Sequence, residues 1–113
     1  MAKVAKPIAF LGGALADLRA FPAPARRQAG YQLDRVQSGL EPDDWKPMAS
    51  IGAGVFEIRI RAANGAFRVM YVAKFAEAVF VLHCFQKKAQ GTSREDISLA
   101  AGCYKQLLKE RKS

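Results

Sequence analysis

Apolar positions change their period along this chain, and the change divides it into a helical part and a stranded part. Lys6 to Leu11 reads as a short first strand that Gly12-Gly13 breaks. Ala14 to Ala20 follows as a short helix, with Leu11, Leu15 and Leu18 close to helical spacing. Phe21-Pro22-Ala23-Pro24 interrupts it, and a proline suits the first turn of a second helix. Over Pro24 to Ser38 that helix carries Ala29, Leu33, Val36 and, just beyond, Leu40 on one apolar stripe, with Gly39 as its stop. Two helices joined by a tight Pro-rich turn predict a helical hairpin.

From Glu41 to Ile51 the chain is turn-rich around a lone Trp45, which reads as a packing anchor. Val55 to Arg61 then alternates Phe56, Ile58 and Ile60 with Glu57, Arg59 and Arg61, the period of a half-buried strand. Ala63-Asn64-Gly65 closes a hairpin on its Asn-Gly pair. Ala66 to Lys74 is the second strand, and Ala78 to Gln86, the most apolar, reads as a central third. Thr92-Ser93-Arg94-Glu95 has the form of a capping box. After it, Ile97, Ala100, Ala101, Tyr104, Leu107 and Leu108 form one helical face. The reading is a single α+β domain over 1–113: a helical hairpin packed on a twisted antiparallel sheet, with a C-terminal helix.

Composition adds a direction to this outline. The chain has 113 residues and a net charge of +8. Residues 1–56 hold seven Lys/Arg against five Asp/Glu, and residues 57–113 hold eleven against five, so the excess sits in the strands and the last helix. A basic half on a small domain points toward a polyanionic partner. Cys84 and Cys103 lack metal-ligand spacing, and Cys84, inside an apolar run, reads as a core residue. No stretch is long enough to span a membrane, and no signal-peptide core follows the basic start, so the expected compartment is the cytosol.

Whole classes of chemistry are missing. There is no P-loop, dinucleotide fingerprint or HExxH, and His83 is the only histidine, so no cofactor and no metal site is expected. The strands carry cations instead. Arg59 and Arg61 share the polar face of one strand with Glu57, Arg68 lies just past the hairpin turn, and Lys87-Lys88 follow the third strand. Cations converging beside aromatic rings suit a phosphodiester that is held and strained. Each has a plainer reading: a solvated strand face for Arg59 and Arg61, surface lysines for Lys87 and Lys88, a core histidine at His83 and a core phenol at Tyr71.

These strand segments also resemble a known family. Gly54-Val55-Phe56-Glu57-Ile58-Arg59, Phe67-Arg68-Val69-Met70-Tyr71 and Val81-Leu82-His83-Cys84-Phe85-Gln86-Lys87-Lys88, in that order, resemble the Gp49-like/HigB branch of the RelE/ParE toxin superfamily. The resemblance covers roughly residues 40 to 108. It implies a RelE-like fold and a toxin that cleaves mRNA on the ribosome without a metal. It also implies a helix-turn-helix antitoxin, HigA-like, as the inhibitory partner. Carried over by motif position, Arg59 and Arg68 would hold the phosphate, and Tyr71 or His83 would transfer a proton or stack on a base. Arg61, Lys87 and Lys88 would bind the RNA backbone. Two positions depart from the family pattern: Ala89 stands where threonine is common, and Cys103 where an arginine often stands. A ParE-type inhibitor of gyrase shares the fold, as would a degenerate prophage protein that only binds nucleic acid, and fold alone does not separate them.

Overall fold

The computed structural model describes residues 5–88 and 91–112. A short strand β1 (Ile8–Phe10) leads into helix α1 (Ala14–Arg19) and helix α2 (Ala23–Gln37). Four strands follow, β2 (Trp45–Pro47), β3 (Val55–Ala62), β4 (Gly65–Val72) and β5 (Val79–Lys87), and helix α3 (Arg94–Arg111) ends the chain. The fold class is α+β as expected, but the sheet is mixed. Its order is β1-β5-β4-β3-β2, and β1 runs parallel to β5 while all other pairs are antiparallel. The middle strand is therefore β4, and β5 lies between it and the short β1.

Helices cover both faces of the sheet. On one face α1 lies on β5 and α2 on β3, and the two helices make few contacts with each other. They form a pair that rests on the sheet more than a hairpin packed on itself. The stripe residues Ala29, Leu33 and Val36 are buried there against Ile58, Ile60, Val69 and Val81, while Leu40, past the end of the helix, is exposed. Gly39 takes the positive φ of +83° that ends α2. On the other face α3 brings Ala100, Tyr104 and Leu107 onto Val55, Met70, Val72 and Leu82. Burying each large side chain of this kind stabilises the fold by about 1.5–3 kcal/mol.

Local chemistry fixes where α3 begins and how it docks. Ser93, one residue later than the expected cap, accepts from the Asp96 amide at 3.1 Å, and its hydroxyl donates to the Asp96 carboxylate at 2.6 Å. Asp96 in turn reaches His83 Nε2 on β5 at 2.7 Å. Tyr104 donates to the Ala53 carbonyl at 2.9 Å, over a spot where only glycine fits, since a Cβ at Gly52 would sit 2.0 Å from the Tyr104 ring. At the hairpin, the turn residues are Ala63 and Asn64, and Gly65 already belongs to β4, paired with Ala62. Cys84 and Cys103 are free thiols; burial, aided by Asp17, pushes the Cys84 thiol up to about 12.

Candidate nucleic-acid interface

The register of the sheet lays the chemistry-bearing residues out in rows. Because side chains alternate across a strand, Glu57, Arg59 and Arg61 of β3 share the face toward α3. Their partners on β4 are Met70, Arg68 and Ala66, and the partners of those on β5 are His83, Phe85 and Lys87. One row thus reads Lys46, Glu57, Met70, His83; the next reads Arg59, Arg68, Phe85; the third reads Arg61, Ala66, Lys87. Helix α3 covers the end of this face held by Val55 and Val72. Toward the β3–β4 turn the face opens into a cleft of about 620 Å³ whose walls carry Arg61, Arg68, Lys87 and Lys88.

Glu57 organises the floor. It is 1% exposed, so it does not lie on a solvated strand face as its alternation suggested. Its Oε1 lies 3.6 Å from Arg68 Nε and 3.8 Å from Lys46 Nζ, and its Oε2 accepts from the Thr92 hydroxyl at 3.0 Å. A buried carboxylate is tolerable only when paired and hydrogen-bonded in this way. Arg68 is itself buried and donates to the Phe67 carbonyl at 3.0 Å. Burial pulls its guanidinium below the ordinary arginine value, Arg59 and Arg61 add to that, and the Glu57 and Asp44 carboxylates oppose it. Arginine stays charged through such shifts.

Arg59 lies directly across from Arg68, and its amide donates to the Asp44 carbonyl at 2.8 Å. Its side-chain Nε is buried without a hydrogen-bond partner, alone in this among the described residues. Arg59 and Arg68 are thus cross-strand neighbours, and paired guanidinium groups are chemically suited to an anion. Among the described residues no three His, Cys, Asp or Glu side chains converge to hold a metal ion.

Of the cations expected at the site, Arg61, Arg68, Lys87 and Lys88 line one cleft, and Arg59 is the cross-strand partner of Arg68 but not part of that lining. His83 shares their face, but its Nε2 is held by Asp96 and its ring stacks on Phe85 at 5.2 Å between centroids. Tyr71 is not among them. It faces α2, buried beside Phe56 at 5.9 Å, and burial lifts its phenol to about 12. The plain core reading is the one that holds there, so Tyr71→Phe should leave any activity of the cationic cleft within about twofold of wild type, since only a buried hydroxyl changes; a loss of tenfold or more in a folded variant would return Tyr71 to the site. Lys46 and Thr92 are additions that sequence reasoning missed, and Glu57 was noticed there only as a face-mate of the arginines. Ala89 lies outside the described residues. Cys103 sits on α3 with Leu11, Gly12 and Leu107 beside a separate hollow, away from the cationic cleft.

Residues 16–105 match the family described as phage derived protein Gp49-like (DUF891). No curated protein matches the sequence. Among solved structures, an arginine-substituted form of the Escherichia coli toxin RelE in the free state superposes with a TM-score of 0.64 at 17% identity, covering 91% of this chain and 98% of that one. The toxin–antitoxin complex RelBE2 of Mycobacterium tuberculosis contributes a chain that superposes with a TM-score of 0.51 at 22% identity, covering 74% of this chain and 100% of that one. A mixed sheet between two helical layers, matched over most of its length by both, carries the fold of the RelE toxins, and the chain belongs to the phage-derived Gp49-like family.

Proposed function

We propose that this protein is the toxin of a toxin–antitoxin pair, inhibited by a helix-turn-helix antitoxin, and that it cleaves mRNA on the ribosome without a metal. The observation that carries this reading is the open cleft whose walls bring Arg61, Arg68, Lys87 and Lys88 together, with Arg59 paired across the strands from Arg68. In the reaction, a ribose 2′-oxygen attacks the adjacent phosphorus. The new O–P bond forms as the P–O5′ bond breaks, leaving a 2′,3′-cyclic phosphate and a 5′-hydroxyl. The proton of the 2′-hydroxyl must leave, and the 5′-oxygen must gain one. Arg59 and Arg68 neutralise the phosphorane charge where it develops, while Arg61, Lys87 and Lys88 hold the flanking backbone. His83 is the proton-transfer candidate on this face. With Nε2 committed to Asp96, it would work through its other ring nitrogen.

The product ends test the chemistry. Incubated with translating ribosomes, the protein should yield mRNA fragments with 2′,3′-cyclic phosphate and 5′-hydroxyl ends, read by end-specific ligation and sequencing. Fragments ending in 3′-hydroxyl and 5′-phosphate would instead indicate metal-activated water. Intact mRNA together with gyrase-linked DNA breaks would transfer the reading to the ParE type. Naked mRNA in parallel reads the need for the ribosome.

A further inference from the structure

Lys74 stands two residues past the end of β4, at the opposite end of that strand from the cleft. Its neighbours fix its position. The stem crosses Gly54, where a Cβ would come within 2.9 Å of its Cδ. The ammonium lies 5.3 Å from the Phe75 ring centre and 5.9 Å from that of Tyr104. Tyr104 is anchored in turn by its hydroxyl bond to Ala53 and its close fit over Gly52. Between residues 51–53 and α3 runs a groove of about 560 Å³. Ile51, Ala53, Ala101 and Leu108 form its apolar trough, and Lys74 and Lys105 are the only charged residues of its lining among the described residues. Beyond Lys105, Lys109 and Lys112 follow at i+4 and i+7 on the same side of the helix, and all three are exposed. The one acid of α3 after Asp96 is Glu110, which lines the hollow on the other flank of the helix and accepts from Gln106 at 3.1 Å.

We propose that this groove and its lysine row hold a single-stranded segment of RNA, on a contact surface separate from the cleft. The choice of polyanion rests on the ribonuclease reading, which the groove extends by a second point of grip. The lining selects the sign of the occupant, since it offers two cations and no acid. The shape selects its kind. An occupant must cover the apolar trough and also repeat its negative charge along the helix. An unpaired nucleotide strand does both, with a base laid against Ile51, Ala101 and Leu108 and its phosphates on the lysines outside. An acidic peptide repeats its charge but brings no flat apolar face to the trough. A duplex keeps its base faces stacked inside. The eight residues of β4 set groove and cleft on the order of 25 Å apart at a strand's rise per residue. One RNA longer than a few nucleotides can therefore touch both, and the groove adds affinity without contacting the phosphate that is cut.

The test uses the whole protein and a 2′-O-methyl oligouridine hexamer, which lacks the attacking hydroxyl and so can be bound but not cut. Its addition should shift the methyl resonances of Ile51, Ala101 and Leu108, both in wild type and in the variant with Lys87→Ala and Lys88→Ala. Lys74→Glu with Lys105→Glu should weaken binding at the groove by about tenfold or more and remove those shifts at the same hexamer concentration. Both residues are exposed, so the thermal midpoint should hold. If that pair does not fold, Lys105→Glu with Lys112→Glu, both on the outer side of α3, should give the same loss. A hexaglutamate peptide and a duplex of the same nucleotide chemistry should leave the three methyl signals in place. No shift at millimolar hexamer, shifts that survive charge reversal in a folded variant, or equal shifts with hexaglutamate or the duplex would overturn the proposal. None of these readouts involves cleavage, so failure of the ribonuclease reading and failure of the groove are separately visible.

Discussion

Arg68→Ala should lower RNA cleavage by about 10²–10³-fold, the usual cost of removing one preorganised donor from a developing negative charge. It should also destabilise the fold, because Arg68 is not a surface cation. Removing it takes away the guanidinium 3.6 Å from a carboxylate that is 1% exposed. Breaking a buried pair typically costs about 3–5 kcal/mol, and Glu57 keeps Lys46 and Thr92, so the low end is expected here. Arg68→Lys separates the two effects. It restores a positive charge opposite Glu57, and with it most of the stability, but lacks the planar fork that grips a phosphate from two directions. Denaturant midpoints and single-turnover cleavage rates should therefore diverge: stability largely recovered, activity still low. A folded Arg68→Ala protein that cleaves at the wild-type rate would remove this residue from the chemistry.

The double change of Lys87 and Lys88 to alanine should weaken RNA or ribosome binding with little effect on folding. Lys88 is exposed and Lys87 half-buried, and both line the cleft beside Arg61 and Arg68. If each holds one phosphate, losing both should flatten the log–log dependence of affinity on salt by roughly 1.4 for a single strand. Titrations of wild type and double mutant at several salt concentrations measure that slope. An unchanged slope would make the pair a solvated end of β5 and leave RNA contact to the arginines.

Much of this site can be counted out along the strands. Arg59, Arg61 and Glu57 are spaced by two, so any strand places them on one face, and the hairpin then brings Arg68 across from Arg59. The same count separates Tyr71 from Arg68: three residues apart on one strand, they point to opposite faces, which a motif read as a list of residue types conceals. Burial of Glu57 was not legible, because its cover comes from Lys46 on a strand too short to show a period and from Thr92 far along the chain. Nor was the parallel β1. Nothing local in Ile8–Phe10 reveals that its partner begins at Val79. The helix pair was legible as two helices, but not how each would rest on its own strand, since that depends on a sheet built from later residues.

The pairing of the first strand with the last sets an order of assembly for a chain made from its N-terminus. While residues 5–37 emerge from a ribosome they have no sheet to join: β1 waits for β5, α1 for the same strand and α2 for β3. The hairpin β3–β4 and its extension to β5 are built from near neighbours in sequence and can form first, whereas contacts between distant segments close late. Strand β1 and helix α1 therefore stay unsatisfied until Val79 to Val81 has been synthesised, while α2 can dock once β3 has formed. The paired arginines of β3 and β4 can meet earlier, but the cleft acquires its lysine wall only with the end of β5 and its helical cover only with α3. A partially made chain thus exposes apolar surface that the finished fold covers.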